Sequence, residues 1–219
     1  MREPALFTTP SGTEIEYLCT GSGEPVTVFA HGLGSGIEET RPLGSAVPGS
    51  RVFFHFRGHG RSTAPAGTWS YADLATDLLA VADRFDASRA LGASLGAGAL
   101  CRLLADRPDR FERLVFFLPA VLDEPRPEVS QRQLRERIPE PALATLPEQV
   151  ALANRAVLAA VTAPALVIGC RDDELHPATV AEDLASALPH AALHVYDQLA
   201  PILTARADLR LRVSGFLGG

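Results

Sequence analysis

The chain has 219 residues, enough for one domain and one sizeable core, because single cores stop growing near about 250 to 300 residues. Hydrophobic residues make up 47% and charged residues 21%, which excludes an intrinsically disordered chain. The net charge is -6 and the 20 basic residues, all Arg, are scattered, so no basic stripe exists for nucleic acid or an anionic membrane and a small, neutral or cationic ligand is expected.

In chain order, Ala5 to Thr8 and Glu14 to Cys19 flank a turn at Pro10-Ser11-Gly12 and predict an antiparallel hairpin. Val26 to Ala30 and Val52 to Phe56 are short apolar runs expected as buried strands. Tyr71 to Phe85 carries Leu74, Leu78, Leu79 and Val81 at helical spacing behind Ser70, a capping residue type. A strand at Ala90 to Ala93, a helix at Leu95 to Ala105 and a strand at Leu114 to Leu118 follow. The rhythm then breaks. From Asp123 to about Thr145 the composition is polar and Pro-rich, with Glu124, Arg126 and Glu128 among Pro125 and Pro127, which predicts a solvated lid or insertion. Beyond it, helix is expected at Glu148 to Ala160, Pro177 to Leu188 and Asp208 to Leu217, and strand at Ala165 to Gly169 and Ala191 to Tyr196. Strands alternating with helices predict an α/β fold with a mostly parallel sheet, in a single domain over residues 1–219.

Met1 to Pro10 has no basic-then-apolar leader pattern and no run of 18 apolar residues follows, so a cytoplasmic protein that does not span a membrane is expected. Cys19, Cys101 and Cys170 are odd in number and lack metal or C-x-x-C spacing, predicting buried thiols in a reducing compartment. No motif calls for a metal or a cofactor.

Gly92-Ala93-Ser94-Leu95-Gly96 lies between an expected strand and an expected helix, the context a G-x-S-x-G nucleophile elbow requires. With that segment the chain resembles the α/β-hydrolase superfamily, because further landmarks follow in the family's order across nearly its whole length. The resemblance implies a mostly parallel central sheet with helices on both faces, a short polar lid at about 123–145, and Ser94 as nucleophile. Val26 to Gly34, containing His31-Gly32-Leu33, is similar to the strand and His-Gly loop that builds half of the family's oxyanion hole. By that likeness the backbone N–H groups of Leu33 and Leu95 would stabilise an oxyanion, each worth a few kcal/mol. His31 would support the loop, with Gly32, Gly92 and Gly96 shaping the pocket. Arg57-Gly58-His59-Gly60-Arg61-Ser62 is similar to the family's R-G-x-G-x-S segment and is taken as a fold marker, with His59 a bystander.

Pro164 to Pro177 looks like the strand and loop that carry the family's acid, and counting back from His176-Pro177 points to Asp173, with Asp172 as the alternative. The family's histidine is expected in the loop after the last strand, but Asp197 to Thr204 contains none, and the vacant position falls near Leu199, Ala200 or Pro201. A serine hydroxyl needs a base within about 3 Å. His190 and His194 lie before or within the last strand; His176 would serve as a displaced base if its loop folded over Ser94, while the plainer reading is a satisfied surface or supporting histidine. Without a base only the oxyanion hole and binding would remain, about 10³-fold over water. Glu38 and Glu39 either face the pocket or open a short solvated helix. The functional expectation is hydrolysis of a small carboxylic ester, lactone or thioester through Ser94, Asp173 and His176; the alternative keeps the fold for small-molecule binding or a cyclisation or elimination in the same pocket, since fold alone does not imply function.

Overall fold

A computed structural model describes residues 3–138, 143–199 and 207–219. The opening hairpin pairs β1 (Ala5–Thr8) with β2 (Glu14–Thr20), and Gly12 in its turn takes a φ of 85°, a value that favours glycine. β3 (Val26–Ala30), β4 (Ser50–Phe54), β5 (Arg89–Ala93), β6 (Arg113–Phe117), β7 (Ala165–Cys170) and β8 (Ala191–Tyr196) extend it into an eight-stranded sheet ordered β1-β2-β4-β3-β5-β6-β7-β8. β1 and β2 are antiparallel and every pairing from β4 to β8 is parallel.

Both faces of the parallel strands are apolar, and successive residues feed opposite cores as the two-residue repeat requires. Leu114 and Phe116 of β6, with Ala165 and Val167 of β7, join one cluster; Val115, Phe117, Leu166 and Ile168 join the other. The first cluster is closed by α2 (Tyr71–Arg84), α3 (Leu95–Asp106) and α5 (Ala178–Ala187), and the second by α1 (Ile37–Gly44) and α6 (Ala207–Gly218). A capping box starts α2, with the Ser70 backbone N–H donating to Asp73 at 2.9 Å. This is the expected α/β-hydrolase architecture, with helices on both sides of the sheet.

Three segments differ from expectation. β4 ends at Phe54 rather than Phe56, because the Phe56 N–H donates to His31 Nε2 at 3.1 Å and so leaves the ladder. Glu148 to Ala160 is not an α-helix but two 3₁₀ turns, Leu146–Glu148 and Arg155–Ala160. Between them the N–H groups of Ala151 and Leu152 donate to Leu122 O, and Asn154 caps Ala156, so tertiary and side-chain partners replace the helical ones. In the 123–145 segment, α4 (Glu128–Arg137) forms, and the segment is not wholly solvated: Arg126 and Ser130 are buried, and Leu134 and Ile138 face a cavity. Residues 139–142 of that segment lie outside the described residues. No disulfide joins the cysteines; Cys101 and Cys170 are buried and Cys19 is partly so. Among the described residues no helix is long and apolar enough to cross a membrane.

Candidate active site

In parallel sheets ligands gather at the carboxyl ends of strands, where neighbouring connections diverge. Here β3 lies between β4 and β5, and the loops after β3 and β5 meet at that point. Ser94 follows β5 directly and precedes the first residue of α3, with φ 48° and ψ -106°, a conformation non-glycine residues rarely take. The turn is fixed by its own bonds: Ser94 N–H donates to Phe117 O at 3.0 Å and Gly96 N–H to His31 O at 3.0 Å. Gly92 and Gly96 are obligatory for closeness, since a Cβ would stand 2.5 Å from Gly96 O at the first and 2.4 Å from Ala30 O at the second. The strand, the close-packed helix and the His-Gly loop thus converge under one serine.

The structure brings three of the sequence-predicted residues into one chain of hydrogen bonds. His176 Nε2 lies 2.9 Å from Ser94 Oγ, and His176 Nδ1 lies 2.8 Å from Asp173 Oδ2. Asp173 Oδ1 also accepts the N–H groups of Leu175 at 3.0 Å and His176 at 3.2 Å, an Asx-type turn that folds the loop back on its own carboxylate. Burial works to raise the Asp173 carboxyl, but the His176 hydrogen bond and charge and the two backbone N–H groups outweigh it and hold it below its usual value. A carboxylate ionised there makes Nδ1 the donor and leaves the Nε2 lone pair toward Ser94. His176 is therefore not a satisfied surface histidine.

Asp172, the alternative acid, turns elsewhere, accepting the Leu199 N–H and the Cys170 thiol. Leu199 itself packs against the second apolar cluster; Ala200 and Pro201, the other positions near the vacancy, lie outside the described residues. His194 stands against Tyr196 with ring centroids 4.4 Å apart, its Nε2 buried without a partner, and His190 is exposed; neither lines the Ser94 cavity.

The backbone N–H groups of Leu33 and Leu95 have no acceptor among the described residues, and Leu95 opens α3, whose N-terminal dipole end favours negative charge. His31 is fully buried, bonding Gly32 O through Nδ1 at 2.7 Å while Nε2 accepts from Phe56; burial lowers its pKa far enough to keep it neutral. His59 is no bystander. Its Nε2 accepts the Gly34 N–H at 3.0 Å and its Nδ1 bonds Arg57 O at 3.1 Å, so it pins the His-Gly loop, and burial lowers its pKa too. The rest of that motif is structural as expected: Arg57 pairs with the buried Asp77 at 2.7 Å, and Ser62 Oγ bonds His55 O and Glu16 N.

The two glutamates divide. Glu38 is exposed, whereas Glu39 turns into the cavity and accepts the Gly32 N–H. Burial pushes the Glu39 carboxyl above its usual value against the pull of that N–H and of His176. The cavity holds about 270 Å³, just below the roughly 300 to 1,000 Å³ of ligand pockets, and Leu33, Ser94, His176, Leu134 and Ile138 line it. Sequence reasoning left Glu39 open between pocket and solvent and missed Arg126 as a wall residue; the break in pattern at 123–145 was the only signal for the latter. Among the described residues no group of three or more His, Cys, Asp or Glu side chains is arranged to hold a metal.

Residues 25–140, more than half of the chain, match the family described as the alpha/beta hydrolase fold, and the chain belongs to that family. Its fold is similar to an esterase (EaEST) from Exiguobacterium antarcticum, with a TM-score of 0.83 and 17% identity over 99% of this chain and 100% of that one. It is also similar to the enol-lactonase from Burkholderia xenovorans LB400, with a TM-score of 0.78 and 22% identity over 98% and 100%, and to a hydrolase from Pseudomonas aeruginosa PA01, with a TM-score of 0.78 and 22% identity over 99% and 98%. At these identities the likeness is one of fold. No curated protein matches the sequence.

Proposed function

We propose that the protein is a serine hydrolase of small carboxylic esters, lactones or thioesters, with Ser94 as nucleophile, His176 as base and Asp173 as its orienting acid. The observation that carries the reading is the unbroken path from Ser94 Oγ through both nitrogens of His176 to Asp173. Ser94 Oγ attacks the carbonyl carbon as its proton passes to His176 Nε2, and the oxyanion is held by Leu33 and Leu95 N–H. Collapse breaks the acyl bond, and His176 returns the proton to the leaving alcohol or thiol, or to the ring-opened hydroxyl of a lactone. Water then attacks the acyl-serine with His176 again as base, releasing the acid and restoring Ser94. The esterase and enol-lactonase among the structural relatives act on this kind of bond, which supports the choice of substrate class. We take residues 1–219 as one domain with a lid at about 123–145, working in the cytoplasm without a cofactor.

A fluorophosphonate probe tests the reading. Wild type is expected to label, Ser94→Ala not at all, and His176→Ala at least about 10³-fold more slowly. Wild type that stays unlabelled from about pH 6 to 9 sinks it. Glu39 favours a second reading, a non-hydrolytic proton transfer by a carboxyl that burial holds toward its neutral form beside Gly32. Turnover that survives in Ser94→Ala and disappears in Glu39→Gln would point there.

A further inference from the structure

Arg126 leads into α4 and lines the Ser94 cavity, yet only 6% of it is exposed. A buried charge is ordinarily paired, because an unpaired one is costly to desolvate. The other buried arginine follows that rule, with Arg57 bonded to Asp77 at 2.7 Å and Asp73 at 3.1 Å. Arg126 does not. No carboxylate among the described residues forms an ion pair with it, its Nε is buried without any hydrogen-bond partner, and NH1 reaches only Leu175 O at 3.3 Å. The buried Tyr71 hydroxyl, whose pKa burial raises against the opposing Arg126 charge, is its other polar neighbour and is neutral. Arg126 also borders a second cavity, where Asp123, Glu124 and Asp183 all bond to Arg155 and none of them forms an ion pair with Arg126. Glu39 shares the Ser94 cavity and spends its carboxylate on Gly32 N–H.

A guanidinium cannot shed its proton to escape burial, and its planar fork matches a carboxylate with two parallel hydrogen bonds. We propose that Arg126 receives a carboxylate of the substrate, so that the enzyme acts on small esters, lactones or thioesters that carry a free carboxylate besides the bond to be cleaved. Ser94 and Arg126 line the same cavity of about 270 Å³, so one small molecule would meet both, its carbonyl at Ser94 and its anion at Arg126. The inference rests on the hydrolase reading of Ser94. It makes Arg126 a specificity residue and explains a buried cation in a segment that otherwise reads as solvated.

The test compares kcat/KM for matched esters in wild type, Arg126→Met and Arg126→Lys. Mono-4-nitrophenyl glutarate carries the carboxylate on the acyl side and 4-acetoxybenzoate on the alcohol side; 4-nitrophenyl butyrate and methyl 4-acetoxybenzoate are their neutral counterparts. Arg126→Met is expected to lose about 10- to 100-fold more on one of the anionic esters than on its neutral counterpart, mainly through KM, with partial recovery in Arg126→Lys. Equal losses on both would overturn the assignment in favour of a structural role. If Arg126→Met does not fold, wild type decides: glutarate should slow fluorophosphonate labelling of Ser94 and glutaramide should not, and equal effects overturn the proposal. Efficient labelling with no preference for either anionic ester refutes the role of Arg126 while leaving Ser94 in place; absence of labelling refutes both.

Discussion

Asp173→Asn separates the two adjacent aspartates by chemistry rather than by position. In wild type Oδ1 accepts from the Leu175 and His176 N–H groups and Oδ2 accepts the hydrogen bond from His176 Nδ1–H. Asparagine keeps its carbonyl on the turn and presents its NH₂ to Nδ1. That donor forces the ring proton onto Nε2, which lies 2.9 Å from Ser94 Oγ, so the lone pair that should take the serine proton is gone. In serine proteases the wrong tautomer costs about 10⁴-fold, so a loss of 10³- to 10⁴-fold, or about 4 to 5.5 kcal/mol of barrier, is expected here. The turn bonds survive, so stability should change by less than about 1 kcal/mol, or about 2 to 4 °C in Tm. Asp172→Asn keeps an oxygen for Leu199 N–H and the Cys170 thiol and should stay within about twofold of wild type. The assay is kcat/KM on 4-nitrophenyl butyrate, with Tm measured alongside. Retention of more than about a tenth of wild-type activity in Asp173→Asn, or an equal loss in Asp172→Asn, refutes the assignment.

Stability should fall as pH drops below about 6.5. His31 and His59 are neutral in the fold with pKa values lowered mainly by burial, so the unfolded chain binds more protons once pH passes below their ordinary value of 6.5. Asp173, lowered from 3.8, contributes only above that value and is constant in this window, while Glu39, raised from 4.5, gains its proton on acidification and partly offsets the loss. His59→Gln, which offers an amide oxygen to Gly34 N–H, should reduce the drop in Tm between about pH 7.5 and 5.5; an unchanged drop would remove His59 from the account. Gly96→Ala places a Cβ 2.4 Å from the Ala30 carbonyl and should cost about 3 kcal/mol, or roughly 6 to 12 °C in Tm, and slow Ser94 labelling with it. Gly215→Ala in α6 meets nothing within 4 Å and should stabilise by about 0.5 to 1 kcal/mol, so equal melting of the two variants would contradict the close-packing argument.

The strands and the elbow were legible because their signals are local. Alternation along Leu114 to Phe117 assigns each side chain to a face, and two glycines around Ser94 between a strand and a helix leave few alternatives. The likeness of the loop ending in His176-Pro177 to the family's acid loop is what pointed to Asp173 ahead of Asp172. What stayed hidden depends on how loops close in space. His176 meets a serine 82 positions away only because Asp173 folds the loop into a turn, and nothing in the composition of Asp172 to Pro177 dictates that turn over a solvated one. Arg126 misled, and Glu39 stayed open, for a related reason: charge predicts exposure for a residue on its own, whereas both line the cavity enclosed by α1, α4 and the loops after β3, β5 and β7. Over Glu148 to Ala160, helical spacing lost to the carbonyl of Leu122, a partner no local pattern reveals.

The place of His176 beside Ser94 also follows from the sheet order. Ser94 ends β5, and β7 is two strands away while β8 is three, each step about 4.8 Å. A base carried after β8 must reach back past the acid after β7; a base carried in the β7 loop itself starts one strand nearer the serine. Pro177 helps here, since the residue before a proline is driven to extended backbone, which keeps His176 out of α5. Asp173 then does two things with its two oxygens, closing the turn that delivers the ring and accepting the Nδ1–H hydrogen bond that orients it. Asp173 and His176 stand three residues apart in one short loop, so a single turn sets their alignment. Asp172 ties Leu199, one of the three positions where the histidine was expected, to the base of the loop, and Leu199 packs into the second core as an apolar anchor.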